Sequence, residues 1–421
     1  MSSGRATRRS VGHGQLEASM LVLVTLGLVA FGLVMVYSAT SAPAALGGGD
    51  PSSYIKRQAI YALLGVVCLI VASRTDYRVL RRVSPALLLV SLVLCVAVLL
   101  VAEPVNGARR WIALGPATFQ PSELAKLALA VWVAAYLSRR QAPRTMGQLV
   151  RPLGLVAGLF CALILVEPDL GTAVAIVAML GAMLVVAGSP LRLLVLAAGL
   201  VVALGAAAIW SAPYRQARVL SFLDPWNDSQ GAGFQIVQAM LGFASGGIFG
   251  EGLGQGVQKN FYLPEAHTDM ILAVIGEELG LVGTLTVILA FATLAYAAFR
   301  ISIRCRDRFG KQLAAGLGAL VSAQAAINLA AVLGLAPLTG IPLPFISYGG
   351  SNLVISLTAV GILLNIAVND AREVERTVPD RVRRDRRPRA AVARSRRGAD
   401  RARSTRDVRR VAGSRRGATG S

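Results

Sequence analysis

Charged residues are scarce in this chain, and their scarcity excludes a single soluble domain. Only 15% of the 421 residues are charged and 55% are hydrophobic, whereas about a quarter of the residues in a typical soluble domain are charged. Acidic residues are fewer than basic ones: the 22 acidic and 43 basic residues give a formal net charge of +21.

Cysteine and histidine are also rare. The four cysteines are Cys68, Cys95, Cys161 and Cys305. Three lie in apolar runs and none forms a CxxC pair, so they indicate neither a disulfide framework nor a zinc site and are interpreted as small apolar packing residues. The two histidines, His13 and His267, are too few for a histidine metal cluster.

The basic excess is concentrated at the C-terminus. Residues 371–421 contain 18 arginines and six acidic residues, a net charge of +12. We predict that this segment is disordered and cytoplasmic, as is the polar segment 1–16. A basic excess can indicate nucleic-acid binding, but beside an apolar remainder it favours contact with membrane lipids and no nucleic acid.

Long apolar runs, in contrast, are abundant. A helix needs about 20 mostly apolar residues to cross a bilayer, and ten stretches meet or nearly meet this length. They are approximately 18–39, 58–73, 85–102, 120–137, 152–167, 171–187, 191–210, 269–298, 313–335 and 350–368. The sequence therefore predicts an all-α polytopic membrane protein with about ten transmembrane helices in residues 17–370. One large loop, 211–268, lies between spans 7 and 8.

Basic residues in the short loops set the predicted orientation. They are Arg5, Arg8 and Arg9 before span 1; Arg74, Arg78, Arg81 and Arg82 after span 2; Arg139, Arg140, Arg144 and Arg151 after span 4; and Arg300, Arg304, Arg306, Arg308 and Lys311 after span 8. With ten spans these loops share one side. Both termini are therefore predicted to be cytoplasmic and the large loop extracytoplasmic.

Most acidic residues of the membrane region map to the opposite side. In the loops between spans, only Asp76 and Asp307 lie on the cytoplasmic side. Four charged residues lie inside apolar helices: Glu123, Lys126, Glu277 and Glu278. A charge there costs at least about 2.5 kcal/mol, so such residues are usually paired or functional. We therefore expect the function on the extracytoplasmic face.

The first of three candidate segments is 105–126. Ser122, Glu123 and Lys126 share one face at the start of a helix, and Arg109 and Arg110 precede them. Two guanidinium groups, an ammonium group and exposed helix N–H groups suit a diphosphate. The alternative is that Glu123 and Lys126 only neutralise each other.

The second segment ends the large loop at Asp269, where the eighth span begins. A carboxylate at this mouth is either a helix cap, which stabilises by about 1 kcal/mol, or a general base or cation ligand. The residues alone leave the two alternatives even.

The third segment, 337–352, contains three prolines and a Gly pair and cannot continue a helix. An irregular backbone at this depth is expected to line a cavity or an aqueous surface. Ser347, Ser351 and Asn352 offer uncharged hydrogen bonds suited to a sugar, and simple loop punctuation is the alternative.

Together the segments resemble motifs of the SEDS family (shape, elongation, division and sporulation), polytopic peptidoglycan glycosyltransferases. The matching motifs occupy 105–112, 119–126, 167–173, 258–280 and 337–352. The resemblance covers about residues 17–370 and is closer to the cell-division branch than to the elongation branch. Met270 and Asn352 replace the family's more usual Phe and Ser, and neither change removes a charge.

The resemblance implies an enzyme that polymerises lipid II, a disaccharide-pentapeptide on undecaprenyl diphosphate, during septal wall synthesis. The family's essential acid falls on Asp269, as a catalytic base or as a ligand of a divalent cation (Mg or Mn), with no organic cofactor. The expected substrate-binding residues are Arg109, Arg110, Ser122, Glu123, Lys126, His267, Thr268, Glu277, Ser347 and Ser351. The implied partners are a class B penicillin-binding protein and other division proteins, at the septum of the cytoplasmic membrane.

Two other functions suit ten spans and intramembrane charges: a lipid II flippase, and a division scaffold without catalysis. A flippase should carry polar sites reachable from both faces, whereas the acidic residues here cluster on one. The sequence thus favours the polymerase.

Overall fold

Helices dominate the computed structural model, which describes residues 3–46, 50, 52–104, 107–115, 117–231, 233–259 and 263–377. Within these residues the helices are α1 (Ser3–Leu46), α2 (Ser53–Arg74), α3 (Arg78–Val101), α4 (Pro121–Arg139), α5 (Met146–Leu149), α6 (Leu155–Val166), α7 (Leu170–Ala187), α8 (Leu191–Trp210), α9 (Pro213–Leu223), α10 (Phe234–Gly246), α11 (Ile271–Arg304), α12 (Arg308–Val332) and α13 (Gly350–Thr377). A π-helical turn, Val150–Gly154, joins α5 to α6. Residues 12–371 form one compact unit.

Nine helices among the described residues are long and apolar enough to cross a membrane. They coincide with nine of the ten stretches expected from the sequence, and the predicted all-α polytopic fold is confirmed. The tenth stretch is α4, whose 19 residues span about 28 Å. Glu123 and Lys126 reduce its apolar character, and almost the whole helix is buried within the protein instead of facing lipid.

Helices extend into both of the terminal segments that were predicted to be disordered. Helix α1 begins at Ser3, so most of the segment 1–16, predicted to be disordered, is helical here. Helix α13 continues to Thr377, into the predicted C-terminal tail. The rest of that tail, 378–421, lies outside the described residues.

Helix α4 packs between α3, α12 and α7 at the centre of the bundle. Small residues make this close packing possible. The hydrophobic effect does not drive association between helices in lipid, and alanine lets neighbouring backbones approach closely enough for van der Waals contact. The fully buried alanines of α4 are Ala125, Ala128, Ala130 and Ala134. Its polar first turn is therefore held inside the protein.

The large loop is not a simple excursion, because it contains α9 and α10. Helix α10 packs against α11 so closely that a Cβ on Gly246 would clash with the carbonyl oxygen of Gly276. Helix α11 is interrupted at Gly280, which has a φ of +64°. A short antiparallel hairpin, β1 (Ile112–Leu114) and β2 (Ala117–Phe119), precedes α4 and adds the one sheet of the described residues.

The segment between α12 and α13 is irregular, as its prolines indicate, but its middle is not at an aqueous surface. Ile341, Leu343 and Ile346 are buried, and a Cβ on Gly32 of α1 would lie 2.6 Å from the carbonyl oxygen of Phe345. Non-helical backbone is tolerated at membrane depth when protein surrounds it. The expectation of an aqueous lining is therefore wrong for this part.

The orientation remains a prediction, and a reporter fusion tests it. A reporter fused after Arg139 or Arg306 is expected to be cytoplasmic, because both residues lie in basic loops that topology rules retain inside. A reporter within 226–258 is expected to be extracytoplasmic. Alkaline phosphatase and fluorescent-protein fusions at the same positions provide opposite readouts, and external activity after Arg306 would contradict the ten-span topology.

Candidate active site

Asp269 lies in the turn that leads into α11. The helix itself begins at Ile271, Met270 occupies the N-cap position, and no side chain caps it. The turn is closed by the Thr268 amide, which donates to the Glu265 carbonyl at 3.0 Å. Glu265 has a φ of +55°, a left-handed conformation that non-glycine residues seldom adopt and that concentrates at functional sites.

Hydrogen bonds to backbone carbonyl groups tie this turn to the irregular segment. Asn328 of α12 donates its Nδ2 to the carbonyl oxygens of Asp269 at 2.7 Å and Ile341 at 2.8 Å. The Tyr348 amide donates to the His267 carbonyl at 2.9 Å. The second and third sequence segments therefore meet, and Asn328, which the sequence analysis missed, joins them.

Aromatic rings flank the same turn. The His267 ring lies 4.9 Å from Tyr54 and 5.5 Å from Tyr348, centroid to centroid, and the two tyrosine rings are 5.2 Å apart. Burial lowers the pKa of His267, which favours the neutral imidazole at pH 7. Such a cluster presents ring faces and a hydroxyl-bearing edge, which suits contact with a sugar.

The carboxyl of Asp269 has an altered acidity. Burial raises its pKa to about 6, Glu265 acts in the same direction, and the positive charge of Arg218 opposes them. The Thr268 hydroxyl lies 3.0 Å from Glu265 Oε2 and 3.2 Å from Asp269 Oδ1. A carboxyl with a pKa near 6 is largely ionised at pH 7 and still able to accept a proton, as a general base requires.

Arg218 is a functional candidate that the sequence analysis did not identify. It lies on α9, stacks over the Tyr214 ring at 4.7 Å and donates to the Leu338 carbonyl at 3.0 Å. The sequence signal for it is the amphipathic character of α9, a short helix within the predicted loop 211–268. Arg218 brings a guanidinium group to the neighbourhood of Asp269.

Glu123 and Lys126 form a buried ion pair. Their N–O distance is 2.8 Å, and Lys126 is 1% exposed. Asn352 of α13 donates to both oxygens of Glu123 at 3.2 and 3.3 Å. The arrangement corresponds to the neutralisation alternative, and nearby Ser122 is buried with no hydrogen-bond partner among the described residues.

The two arginines expected beside Lys126 have other partners. Arg110 donates to the carbonyl oxygens of Glu167 at 2.7 Å and Pro168 at 2.5 Å, which fixes the turn between α6 and α7. Arg109 is exposed and donates to the Leu99 carbonyl at 3.0 Å. The expectation that they converge with Lys126 on one anion site has no support in these contacts.

The hydroxyl groups of Ser351 and Ser347 form hydrogen bonds with backbone groups. Ser351 accepts from the Gln120 amide at 3.0 Å and donates to the Thr118 carbonyl at 3.3 Å, which ties the hairpin to α13. Ser347 accepts from the Leu343 amide at 2.8 Å. The first and third segments are therefore adjacent, through structural hydrogen bonds.

Glu277 and Glu278 also have partners inside the protein. Glu277 accepts from the backbone amides of Val257 at 2.7 Å and Gln258 at 3.2 Å, which anchors the end of the large loop. Glu278 pairs with Lys259 at 2.6 Å and accepts from Ser38. The two glutamates could be identified from their positions inside an apolar helix. Lys259 could not, because the sequence gives no indication that a lysine in a loop is buried.

The divalent cation that the resemblance implies would depend on the carboxylates of this turn. In the part of the chain that the structure describes, no three His, Cys, Asp or Glu side chains come together to hold a metal ion. Asp269 and Glu265 nevertheless flank one hydroxyl group. Mg²⁺ is often bound by one or two carboxylates plus substrate phosphates, and this pair fits that mode.

The fold and the site define a polytopic helical membrane protein with a partly buried acidic residue where a membrane helix begins. The chain belongs to the FtsW/RodA/SpoVE family of cell cycle proteins, whose sequence pattern matches residues 18–372. The resemblance seen in the sequence motifs is thereby confirmed.

Individual relatives support the same family. The chain is 42% identical to the probable peptidoglycan glycosyltransferase FtsW of Geobacter sp. (strain M18), covering 86% of this chain and 98% of the relative. It is 41% identical to the stage V sporulation protein E of Bacillus subtilis (strain 168), covering 83% and 96%.

Two solved structures are similar to the fold. One is a chain from a study of polymerization and crosslinking by a peptidoglycan synthase complex, with a TM-score of 0.69, 29% identity and coverage of 83% of this chain and 97% of that one. The other is the rod shape determining protein RodA of Thermus thermophilus, with a TM-score of 0.62, 27% identity and coverage of 83% and 96%.

Proposed function

We propose that this chain is a peptidoglycan glycosyltransferase that polymerises lipid II at the outer face of the cytoplasmic membrane. The observation that carries the proposal is the position of Asp269, in the turn that leads into α11, where the Thr268 hydroxyl lies between its carboxyl and that of Glu265. The relatives named as peptidoglycan glycosyltransferases support the reaction class. The lipid tail of the substrate would stay in the bilayer while its diphosphate and sugars meet the turn at Asp269.

The chemistry follows from this position. Asp269 takes the proton of an acceptor sugar hydroxyl as its oxygen attacks the anomeric carbon of the donor lipid II. A bond forms between that oxygen and the carbon, and the bond from the carbon to the diphosphate oxygen breaks. Undecaprenyl diphosphate leaves with the bonding electrons.

The leaving diphosphate needs positive charge. Developing negative charge is best stabilised by cations already fixed in a site of low dielectric. Arg218, held by Tyr214 and the Leu338 carbonyl, is placed near Asp269 for this task. Lys126, the candidate from the sequence, is engaged by Glu123, and we assign it a structural role instead.

The polymerase is tested directly with labelled lipid II. Purified protein with its transpeptidase partner, in detergent, is expected to convert lipid II into glycan strands resolved on a gel. Detergent removes the two leaflets, so a flippase would show no product in this assay, and neither would a scaffold without catalysis.

Cation dependence is a separate prediction. Asp269 and Glu265 would hold a divalent cation, Mg²⁺ or Mn²⁺, that supplies positive charge to the diphosphate. Polymerisation is expected to stop in excess EDTA and to return with Mg²⁺ or Mn²⁺ but not with Na⁺. Undiminished turnover in EDTA would contradict the cation while leaving the base assignment intact.

The pH profile tests the base. Asp269 must be ionised to accept a proton, so kcat/KM is expected to fall as the pH decreases through about 6. A kcat/KM that stays constant from about pH 7 to about pH 5 would contradict the assignment to Asp269.

Partners and location follow from the same proposal. The structural similarity to a chain of a peptidoglycan synthase complex supports a class B penicillin-binding protein as the partner. We further propose that the chain acts at the division septum with other division proteins. The basic tail would contribute by contact with anionic lipid or an acidic division protein.

A further inference from the structure

Asn328 is a buried polar residue in a membrane span. It lies one turn before the end of α12 and is 2% exposed. Asparagine is a weaker helix former than alanine or leucine, and a buried amide group destabilises a protein unless it is hydrogen-bonded. Its presence in α12 therefore depends on the groups that it contacts.

The side-chain amide of Asn328 acts only as a donor among the described residues. Its Nδ2 donates to the carbonyl oxygens of Asp269 at 2.7 Å and Ile341 at 2.8 Å, whereas its Oδ1 is buried with no hydrogen-bond partner. A buried acceptor without a partner is destabilising. An apolar side chain would avoid this cost, so the two donated bonds account for an amide at this position.

Both acceptors lie outside the regular helices. Asp269 precedes α11, and Ile341 lies in the irregular segment between α12 and α13. Arg218 of α9 donates to the Leu338 carbonyl of the same segment at 3.0 Å. Asn328 thus binds the Asp269 turn to the stretch of chain that also holds Arg218. The separation between the carboxyl and the guanidinium group is therefore set in part by this amide.

Adhesion between helices is the alternative role for Asn328. Polar side chains often form hydrogen bonds across membrane helices. Helices α11 and α12, however, are already in close contact through small residues, because a Cβ on Gly318 would lie 2.6 Å from the Cβ of Ala298. The bonds of Asn328 reach two irregular segments instead of the body of the neighbouring helix, which favours a role in the site.

We propose that Asn328 is a positioning residue for the glycosyl transfer, which holds Asp269 at a fixed distance from Arg218 by joining the carbonyl groups of residues 269 and 341. The inference rests on the proposed function, in which Asp269 is the base and Arg218 stabilises the leaving diphosphate. Asn328 acts through the backbone of residue 269 and is not itself catalytic. A displacement of about 1 Å caused by a substitution away from the chemistry can lower the rate about 10²-fold.

Steady-state kinetics of lipid II polymerisation test the proposal with a matched pair of variants. Asn328→Leu removes both donated bonds. Gln324→Leu is the control, because Gln324 lies one turn earlier on α12, is also 2% exposed, and its Nε2 has no hydrogen-bond partner among the described residues. With equal amounts of folded complex, Asn328→Leu is expected to lower kcat about 10- to 100-fold with little change in KM. Gln324→Leu is expected to retain both constants.

Hydrogen–deuterium exchange of the full chain reports on the turn without turnover. The backbone amides of Thr268 and Tyr348 both donate to carbonyl groups of the turn. Because local opening governs the exchange of such amides, both are expected to exchange about tenfold faster in Asn328→Leu than in the wild type or the control variant. The Glu251 amide, which donates to the Glu277 carbonyl at 3.0 Å, is the internal control and should not change.

The two measurements separate this inference from the proposed function. An inactive wild type would contradict the polymerase, while the exchange comparison would still decide whether Asn328 holds the turn. Equal kinetic constants in Asn328→Leu and Gln324→Leu would overturn the positioning role, as would a rise in KM at unchanged kcat. Unchanged exchange at Thr268 and Tyr348 would overturn it even if kcat decreased.

A second pair of variants covers a failure to fold. If Asn328→Leu does not fold, Asn328→Ala, which adds no bulk, is compared with Gln324→Ala in the same two measurements. If neither Asn328 variant folds while both Gln324 variants do, Asn328 serves folding, and the proposal is overturned.

Discussion

Asp269→Asn is expected to reduce lipid II polymerisation by about 10²- to 10⁴-fold, the usual contribution of a general base. The amide keeps the shape of the side chain and still accepts from Thr268, but it cannot take a proton. Asn328 binds the backbone carbonyl of residue 269, so the turn itself should be preserved. Initial rates are measured with equal amounts of complex, together with thermal stability and partner retention.

The same substitution separates catalysis from a structural role in the turn. Met270, not Asp269, occupies the N-cap position of α11, so the helix-cap alternative is wrong, and an Asp269 that only shapes the turn would leave the Asn variant close to wild type. Glu251→Gln is the matched control, because Glu251 is an exposed acidic residue of the same large loop. Normal polymerisation by both variants would contradict the assignment of Asp269 as the catalytic base.

Sequence patterns predicted the architecture well because hydrophobicity alone defines membrane spans. Nine spans needed nothing beyond apolar length. Helix α4 was predicted from its apolar length in the same way. Its burial among other helices could not be inferred, because the sequence of an apolar helix is similar whether lipid or protein surrounds it. Helix α9 was missed as an element because its 11 residues are too few to form a long apolar run. The amphipathic pattern of residues 234–243 indicated most of α10, but it was included in the large loop.

The sequence predicted the acidic residue of the site but not the residues that contact its turn. Asp269 stood out at the junction of loop and span. Arg218 and Asn328 reach this turn only through tertiary packing of α9 and α12. Conversely, Arg110 and Glu277 carried suggestive charges, but the structure uses them to hold backbone groups of other segments. A charged residue in a sequence does not indicate which group it will contact in the folded protein.

Lys126→Ala is the second substitution with a large expected effect, and the effect is on folding. It leaves Glu123 buried at 3% exposure, with the Asn352 amide as the remaining hydrogen-bond partner of its carboxylate among the described residues. Removing one member of a buried ion pair costs about 3–5 kcal/mol, a large fraction of a typical net stability of about 5–15 kcal/mol. A marked decrease in melting temperature and yield is therefore expected.

The double variant Glu123→Gln/Lys126→Met distinguishes this account from a role in binding diphosphate. It removes both charges and keeps the volume, and such replacements of buried pairs are often neutral or stabilising. If Lys126 only balances Glu123, the double variant should recover both stability and polymerisation. A double variant that is stable but inactive would return Lys126 to the substrate site, and a Lys126→Ala protein as stable as wild type would refute the buried-pair account.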